Sequence, residues 1–313
     1  MKMETGQVDE ASGLMRFSPP GMAGRLRIAV ASLVLLLSFP AIAETRREAP
    51  LHYAVNLRGE YARAASVGFN LADVSSPSAL DLLPEGMKGL LWLRSGFNGR
   101  RNECAWRMDD ADVRSMVVAV RGHPRFSGIY FIADEPHPSL CPEAPRRIAE
   151  RSALIRYLHP GARTFIVVLN TSRYPDELAQ LRDAADYVGI DPYPCNRKNA
   201  ARGCDLRAMR ERIEGALAAG IAPERLVPVF QAFGQSCSTA APGYQRLPTE
   251  AEMRAMFDLW DELVPPARRP FDMTYSWGAQ PRHACPTLAM ADGREAPDLL
   301  AVFTRYFTLL VGR

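Results

Sequence analysis

From residue 51 onward the chain alternates short apolar runs with longer stretches whose apolar residues return every three or four positions, the spacing of one helical face. HYAVNL at 52–57 predicts the first strand, and EYARAASVG behind it predicts a helix running into Gly68. GFNLADVS at 68–75 predicts the second strand, with PSALDLL as its helix. KGLLWLRSG at 88–96 predicts the third, and DDADVRSMVVAVRGH a helix with an acidic start that ends near Gly122. FSGIYFIADEPHP at 126–138 predicts a fourth strand whose core, 129–132, has no polar face and is expected to be buried on both sides. Its helix, EAPRRIAERSALIRYLHPG, carries Pro145 in the first turn and Gly161 past the end. ARTFIVVLNTS predicts a fifth strand ending at Asn170, with PDELAQLRDAA behind it. The sixth strand is predicted at 186–195 and its helix at 205–219, after a polar loop. The seventh is predicted at 225–234, with a helix from Thr249, where Thr249 and Glu252 have capping-box spacing. FDMTYSWG at 271–278 predicts the eighth strand, and APDLLAVFTRYFTLLVG the closing helix.

Eight strand-then-helix units predict parallel pairing and an α/β fold, a single-domain (β/α)8 TIM barrel. An open doubly wound sheet would carry a glycine-rich phosphate turn, and neither GxGxxG nor GxxxxGK[ST] occurs. Ahead of the barrel, GRLRIAVASLVLLLSFPAIA at 24–43 combines two arginines, an apolar run at 28–39 and small residues at Ala41 and Ala43. That is the pattern of a signal peptide cleaved after Ala43, with Met22 as an alternative start and an uncleaved anchor as the alternative fate. Residues 1–43 are thus read as extension and signal peptide, and 44–313 as the barrel of a secreted or periplasmic protein without stable membrane insertion.

The 38 basic and 35 acidic residues leave a net charge of +3, which points to neither a nucleic-acid nor a membrane-surface partner, and a monomer is expected. Six cysteines, an even number in an exported chain, predict disulfides rather than a metal site. Cys195 and Cys204 are close enough to close a short loop. The pairing of Cys104, Cys141, Cys237 and Cys285 is open from spacing, with adjacency around the barrel favouring Cys104 with Cys141 and Cys237 with Cys285. All six fall after a strand and before the next helix, on one rim. The histidines show no HxH or HExxH spacing, so no metal and no cofactor is expected.

The candidate chemistry sits at the strand ends. Asp134 and Glu135 close a buried strand and are stopped by Pro136; a carboxylate pair carried there has to reach a cleft, a partner charge or water. In a barrel, Asn56, Arg58, Asp73, Arg94, Asn170, Asp191, Tyr193, Gln231, Tyr275 and Trp277 join them around one mouth. Hydroxyl-seeking polar groups mixed with aromatics suit a carbohydrate, the expected partner. His137 is read as a loop residue with one hydrogen bond, and Trp92 and Trp260 as packing. Asn170-Thr171-Ser172 matches a glycosylation sequon but falls where the cleft is expected.

Glu135-Pro136, the GIDPYP of residues 189–194 and the strand-eight Trp277 together resemble the TIM-barrel glycoside hydrolases, in which an acid at the end of strand four, often followed by proline, donates a proton. The resemblance implies a hydrolase of O-glycosyl bonds with Glu135 as general acid, its proton affinity raised by burial and by Asp134. The related clan places a nucleophilic Glu on strand seven, where this chain has Gln231, and an amide forms no glycosyl ester. Three readings stay open: Asp191 as base or nucleophile, Asp134 orienting an N-acetyl group as in substrate-assisted hexosaminidases and chitinases, or a silent carbohydrate-binding barrel. On the hydrolase reading, Tyr193, Gln231, Asn170, Asn56 and Tyr275 would bond sugar hydroxyls and Trp277 would floor the subsite. Arg58 and Arg94 would pair an anionic sugar or, as favoured, form salt bridges to Asp73 and Asp134.

Overall fold

In a computed structural model, eight parallel strands close on themselves in sequence order: β1 (His52–Ala54), β2 (Leu71–Val74), β3 (Lys88–Trp92), β4 (Phe126–Asp134), β5 (Arg163–Val168), β6 (Tyr187–Ile190), β7 (Leu226–Gln231) and β8 (Asp272–Tyr275). The structure describes residues 50–98, 104–169, 176–238, 240–281 and 283–311. The predicted leader, its cleavage point and Asn170 lie outside them. The described residues belong to one compact unit, which begins at Glu48.

The strands are shorter than their apolar runs, because several runs continue past the ladder into loops at the carboxyl rim. The helices are α1 (Tyr61–Val67), α2 (Asp110–Val120), α3 (Ala144–Leu158), α4 (Glu177–Leu181), α5 (Leu206–Ala218), α6 (Glu250–Leu263) and α7 (Leu299–Val311). One expectation is corrected here. PSALDLL after β2 forms a single 3-10 segment, Pro77–Leu82, so the alternation is not eight full helices. Its proline and serines suit a turn, and six residues are too few to nucleate a stable helix alone. The predicted caps form: Asp109 accepts from the Asp112 N–H at the start of α2, and Thr249 with Glu252 makes a reciprocal capping box on α6.

Two apolar layers follow from strand alternation. Tyr53, Leu71, Leu90, Ile129, Phe131, Phe165, Val167, Val227, Val229, Phe271 and Met273 fill the barrel interior, while the alternate residues pack outward against the helices. Gly189 makes the interior fit: a Cβ there would stand 3.0 Å from the Phe165 ring and 3.1 Å from Val167. On the outer face, where His52 stacks on Phe307 of α7, His52 pairs with Asp272 across the β1–β8 seam at 2.9 Å. The three predicted disulfides are present at the carboxyl rim: Cys104–Cys141 and Cys237–Cys285 each join two loops, and Cys195–Cys204 closes the loop after β6 on itself. Among the described residues no helix is long and apolar enough to cross a membrane.

Candidate active site

A cavity of about 450 Å³ opens at the carboxyl end of the barrel, lined from β1, β2, β3, β4 and β8 and from the loops beyond the strands, those after β5, β6 and β7 included. Its floor is the upper interior layer, Tyr53, Trp92, Phe131 and Met273, and its walls carry Asn56, Asp73, Asp134, Glu135, Tyr193, Phe233, Tyr275, Gln280 and His283.

The acid pair reaches this cavity through an irregularity in β4. Ile129 and Phe131 point inward, but the register with β5 shifts between Phe131 and Ala133, so Ala133 joins Ile132 in the outer layer. Strict alternation would have sent Ala133 inward and Asp134 out; the extra residue brings Asp134 onto the cavity face. Ser95 on the neighbouring loop fixes this point, its hydroxyl donating to the Asp134 carbonyl and accepting from the Asp134 N–H, both at 3.1 Å. Glu135 then turns into the left-handed region at φ 47, its N–H held by the Val167 carbonyl at 2.9 Å. Asn56, Arg58, Arg94 and Tyr193 also adopt positive φ at the ends of β1, β3 and β6, so non-glycine backbone strain gathers around this mouth.

Glu135 and Asp191 are hydrogen-bonded to each other through their side chains. Asp191 is 1% exposed. Burial, then the charge of Glu135 and the shared hydrogen bond, pushes the Asp191 carboxyl well above the usual range, with Asp134 adding to the effect. Asp191 is thus the buried member of the pair, and Glu135 presents the other carboxyl to the cavity. One Asp191 oxygen, Oδ1, has no protein hydrogen-bond partner.

On the opposite wall, Asp73 accepts the Asn56 and Leu57 N–H groups at 2.9 and 3.0 Å, which pins the β1 loop. Burial raises its carboxyl above the usual range, and those two bonds and the Arg58 charge offset only part of that. Asn56 accepts from the Gln280 amide at 2.9 Å, and Gln280 accepts from the Tyr275 hydroxyl at 2.6 Å. Asp73, Asn56, Gln280 and Tyr275 thus form one polar wall. Tyr193, Phe233 and Tyr275 make an aromatic corner, with ring centroids 5.0 to 6.1 Å apart.

Several sequence-derived assignments are displaced. Trp277 is fully buried outside the barrel: it packs on Phe69 at 5.8 Å, and its indole N–H donates to Glu60 at 3.2 Å, so it floors no subsite. Gln231 is equally buried; its amide accepts from the Cys195 N–H at 2.9 Å and donates to the Cys195 carbonyl at 2.8 Å and the Arg246 carbonyl at 3.1 Å. It staples the β6 and β7 loops and does not line the cavity. Arg58 and Arg94 are exposed on the rim, outside the cavity lining. Trp92, read as packing, is on the floor, whereas Trp260 is buried as expected. His137 is a loop residue as read, and its ring hydrogen-bonds the buried Glu177 at 3.1 Å. Phe233, Gln235, Gln245, Gln280 and His283 were missed. Phe233 lies in the predicted seventh strand but just past the end of β7, and the others sit in loops that no strand periodicity marks, where only the nearby Cys237 and Cys285 signalled that these loops meet.

No protein-family model matches the sequence, and no curated protein does either. Solved structures match in fold. A β-glucuronidase from Ruminococcus gnavus in complex with D-glucuronic acid aligns with TM-score 0.55 and 10% identity, over 83% of this chain and 49% of that one. The β-D-glucuronidase of Dictyoglomus thermophilum aligns with TM-score 0.52 and 14% identity, over 82% and 50%. Bacteroides uniformis β-glucuronidase 2, covalently bound to cyclophellitol-6-carboxylate aziridine, aligns with TM-score 0.51 and 9% identity, over 82% and 35%. The chain spans half or less of each, and the likeness is one of barrel architecture.

Proposed function

We propose that the protein is an exported glycoside hydrolase, processed after Ala43, whose barrel of residues 44–313 acts as a monomer in the periplasm or outside the cell. The observation that carries the reading is the pair Asp134 and Glu135 lining an aromatic, sugar-sized cavity, with Asp191 buried behind Glu135. Three disulfides at the rim suit an oxidising compartment, and the barrel's fold neighbours are glycosidases.

In this reading Glu135 delivers the couple's proton to the leaving-group oxygen as the glycosidic carbon–oxygen bond breaks. Asp191 acts through Glu135, because it is buried, stands outside the cavity lining and hydrogen-bonds the acid instead of facing a sugar ring. Asp134, on the cavity face, supplies the negative charge that stabilises the oxocarbenium-like centre or orients the group that does. Tyr193, Tyr275 and Trp92 offer aromatic surface to the sugar, and Asn56 and Gln280 its hydroxyl partners.

A silent carbohydrate-binding barrel is the second reading, favoured by Gln231, whose amide stands where a related nucleophile would and is spent on loop hydrogen bonds. Purified protein and its Glu135→Gln variant, assayed on aryl glycosides and polysaccharides, decide between the two. The hydrolase reading expects cleavage of at least one substrate and a loss of ~10²-fold or more in the variant. Undiminished cleavage removes Glu135 from its role, and binding without any cleavage establishes the silent barrel.

A further inference from the structure

The segment that follows Glu135 has no regular structure of its own until α3, yet it has to keep a left-handed glutamate aimed at Asp191. Upstream, Ser95 grips Asp134. Downstream, the His137 N–H donates to the Phe97 carbonyl at 2.8 Å, and the Leu140 and Cys141 N–H groups fold back onto the His137 carbonyl at 3.1 and 2.8 Å. The remaining hold comes from a different unit of the barrel. Glu177, at the start of α4 behind β5, is 1% exposed, and both of its oxygens are directed at this loop. Oε1 accepts the Ser139 N–H at 2.9 Å, and Oε2 meets His137 Nδ1 at 3.1 Å.

Burying a carboxylate is costly unless its bonds are made, and Glu177 makes these two on residues four and two places after Glu135. We propose that Glu177 is a positioning residue for the acid, a latch that reads the loop at both His137 and Ser139 and holds Glu135 against Asp191. The proposal builds on the hydrolase reading and assigns Glu177 no contact with substrate. It also gives His137 its function, as the side-chain half of the latch. A misplacement of a catalytic group by about 1 Å is enough to cost ~10²-fold in rate while leaving the sugar contacts in place.

The test compares wild type, Glu177→Ala and Glu177→Gln on whichever glycoside the wild type cleaves, with folding monitored by circular dichroism. Expected is a fall in kcat of ~10²-fold for Glu177→Ala with KM nearly unchanged. Glu177→Gln should recover most of that loss, because its amide oxygen still accepts from the Ser139 N–H and its amide nitrogen still reaches His137 Nδ1. Wild-type kcat in Glu177→Ala, or a loss no larger than its unfolded fraction, overturns the latch. A crystal structure of Glu177→Ala gives an independent readout, since Glu135 should leave Asp191; an unmoved Glu135 also overturns it. A wild type that cleaves nothing defeats the hydrolase reading instead, and the crystallographic comparison still decides whether Glu177 sets the position of Glu135.

Discussion

Asp191 is the residue at which function and stability oppose each other. Its carboxyl has an ordinary value of 3.8 and is raised well above it in the fold, first by burial and then by Glu135. The folded chain therefore holds a proton that the unfolded chain has released, over the interval between those two values. The stability this contributes is complete below about 3.8, is lost as pH rises through the folded value, and stays absent above it. Asp191→Asn, which keeps a donor to Glu135 but no ionisable group, should melt at the same temperature as wild type near the acid end and at a higher one at mildly alkaline pH. Thermal unfolding across pH checks this, and a gain at the acid end alone would contradict it. In the same variant the alkaline limb of kcat/KM should move to lower pH, because the raised Asp191 carboxyl that holds the couple's proton is gone. Among single residues, Glu135 was legible because two acids before a proline at the end of an apolar strand have few structural uses. Asp191 was legible as a site residue but not as a fully buried one, since its depth depends on what the neighbouring strands and loops place around it.

At the scale of elements, the closing of β8 onto β1 depends on a buried polar cluster. Asp272 on β8 meets His52 on β1 at 2.9 Å and lies 3.9 Å from Arg269. Arg269 bonds Asp261 of α6 at 3.1 Å and the Tyr306 hydroxyl of α7, and that hydroxyl donates to Asp261 at 2.7 Å. Removing one partner strands buried charge, so Asp272→Ala should cost about 3–5 kcal/mol in denaturant unfolding, whereas a change at an exposed pair such as Arg207 and Glu211 should cost well under 1 kcal/mol. None of this was visible in the pattern of FDMTYSWG, which reads as an ordinary strand. Helix caps were visible, because Thr249 and Glu252 satisfy each other within four residues. Local bonds can be read from local spacing, and bonds between β1, β8, α6 and α7 cannot.

At the scale of the whole molecule, three disulfides tie the loops around the cavity, closing separations of 48, 37 and 9 residues. In the chain-entropy account the longest closure restricts the unfolded chain most, by about 4 kcal/mol against about 3 for a loop of fifteen residues. Cys-to-Ser pairs made singly should therefore lower the melting temperature most for Cys237–Cys285, less for Cys104–Cys141 and least for Cys195–Cys204. Scanning calorimetry of the three variants checks the order, and the reverse order would show that native-state contacts outweigh the unfolded-chain effect.

The order of strands and helices, the barrel they close into and the presence of acids at one rim were all determined by the sequence alone. Each follows from the periodicity of neighbouring residues and from the rule that parallel strands need a crossover between them. Which side chains share the cavity was decided only by the tertiary structure. A one-residue shift in β4 turns Asp134 inward, Gln231 is drawn into the β6 loop, and Trp277 is taken up by Phe69 on the outer face. The physical reason is the same in each case: a side chain's direction at a strand end is set by hydrogen bonds and packing to segments far away in sequence, and no local pattern encodes those.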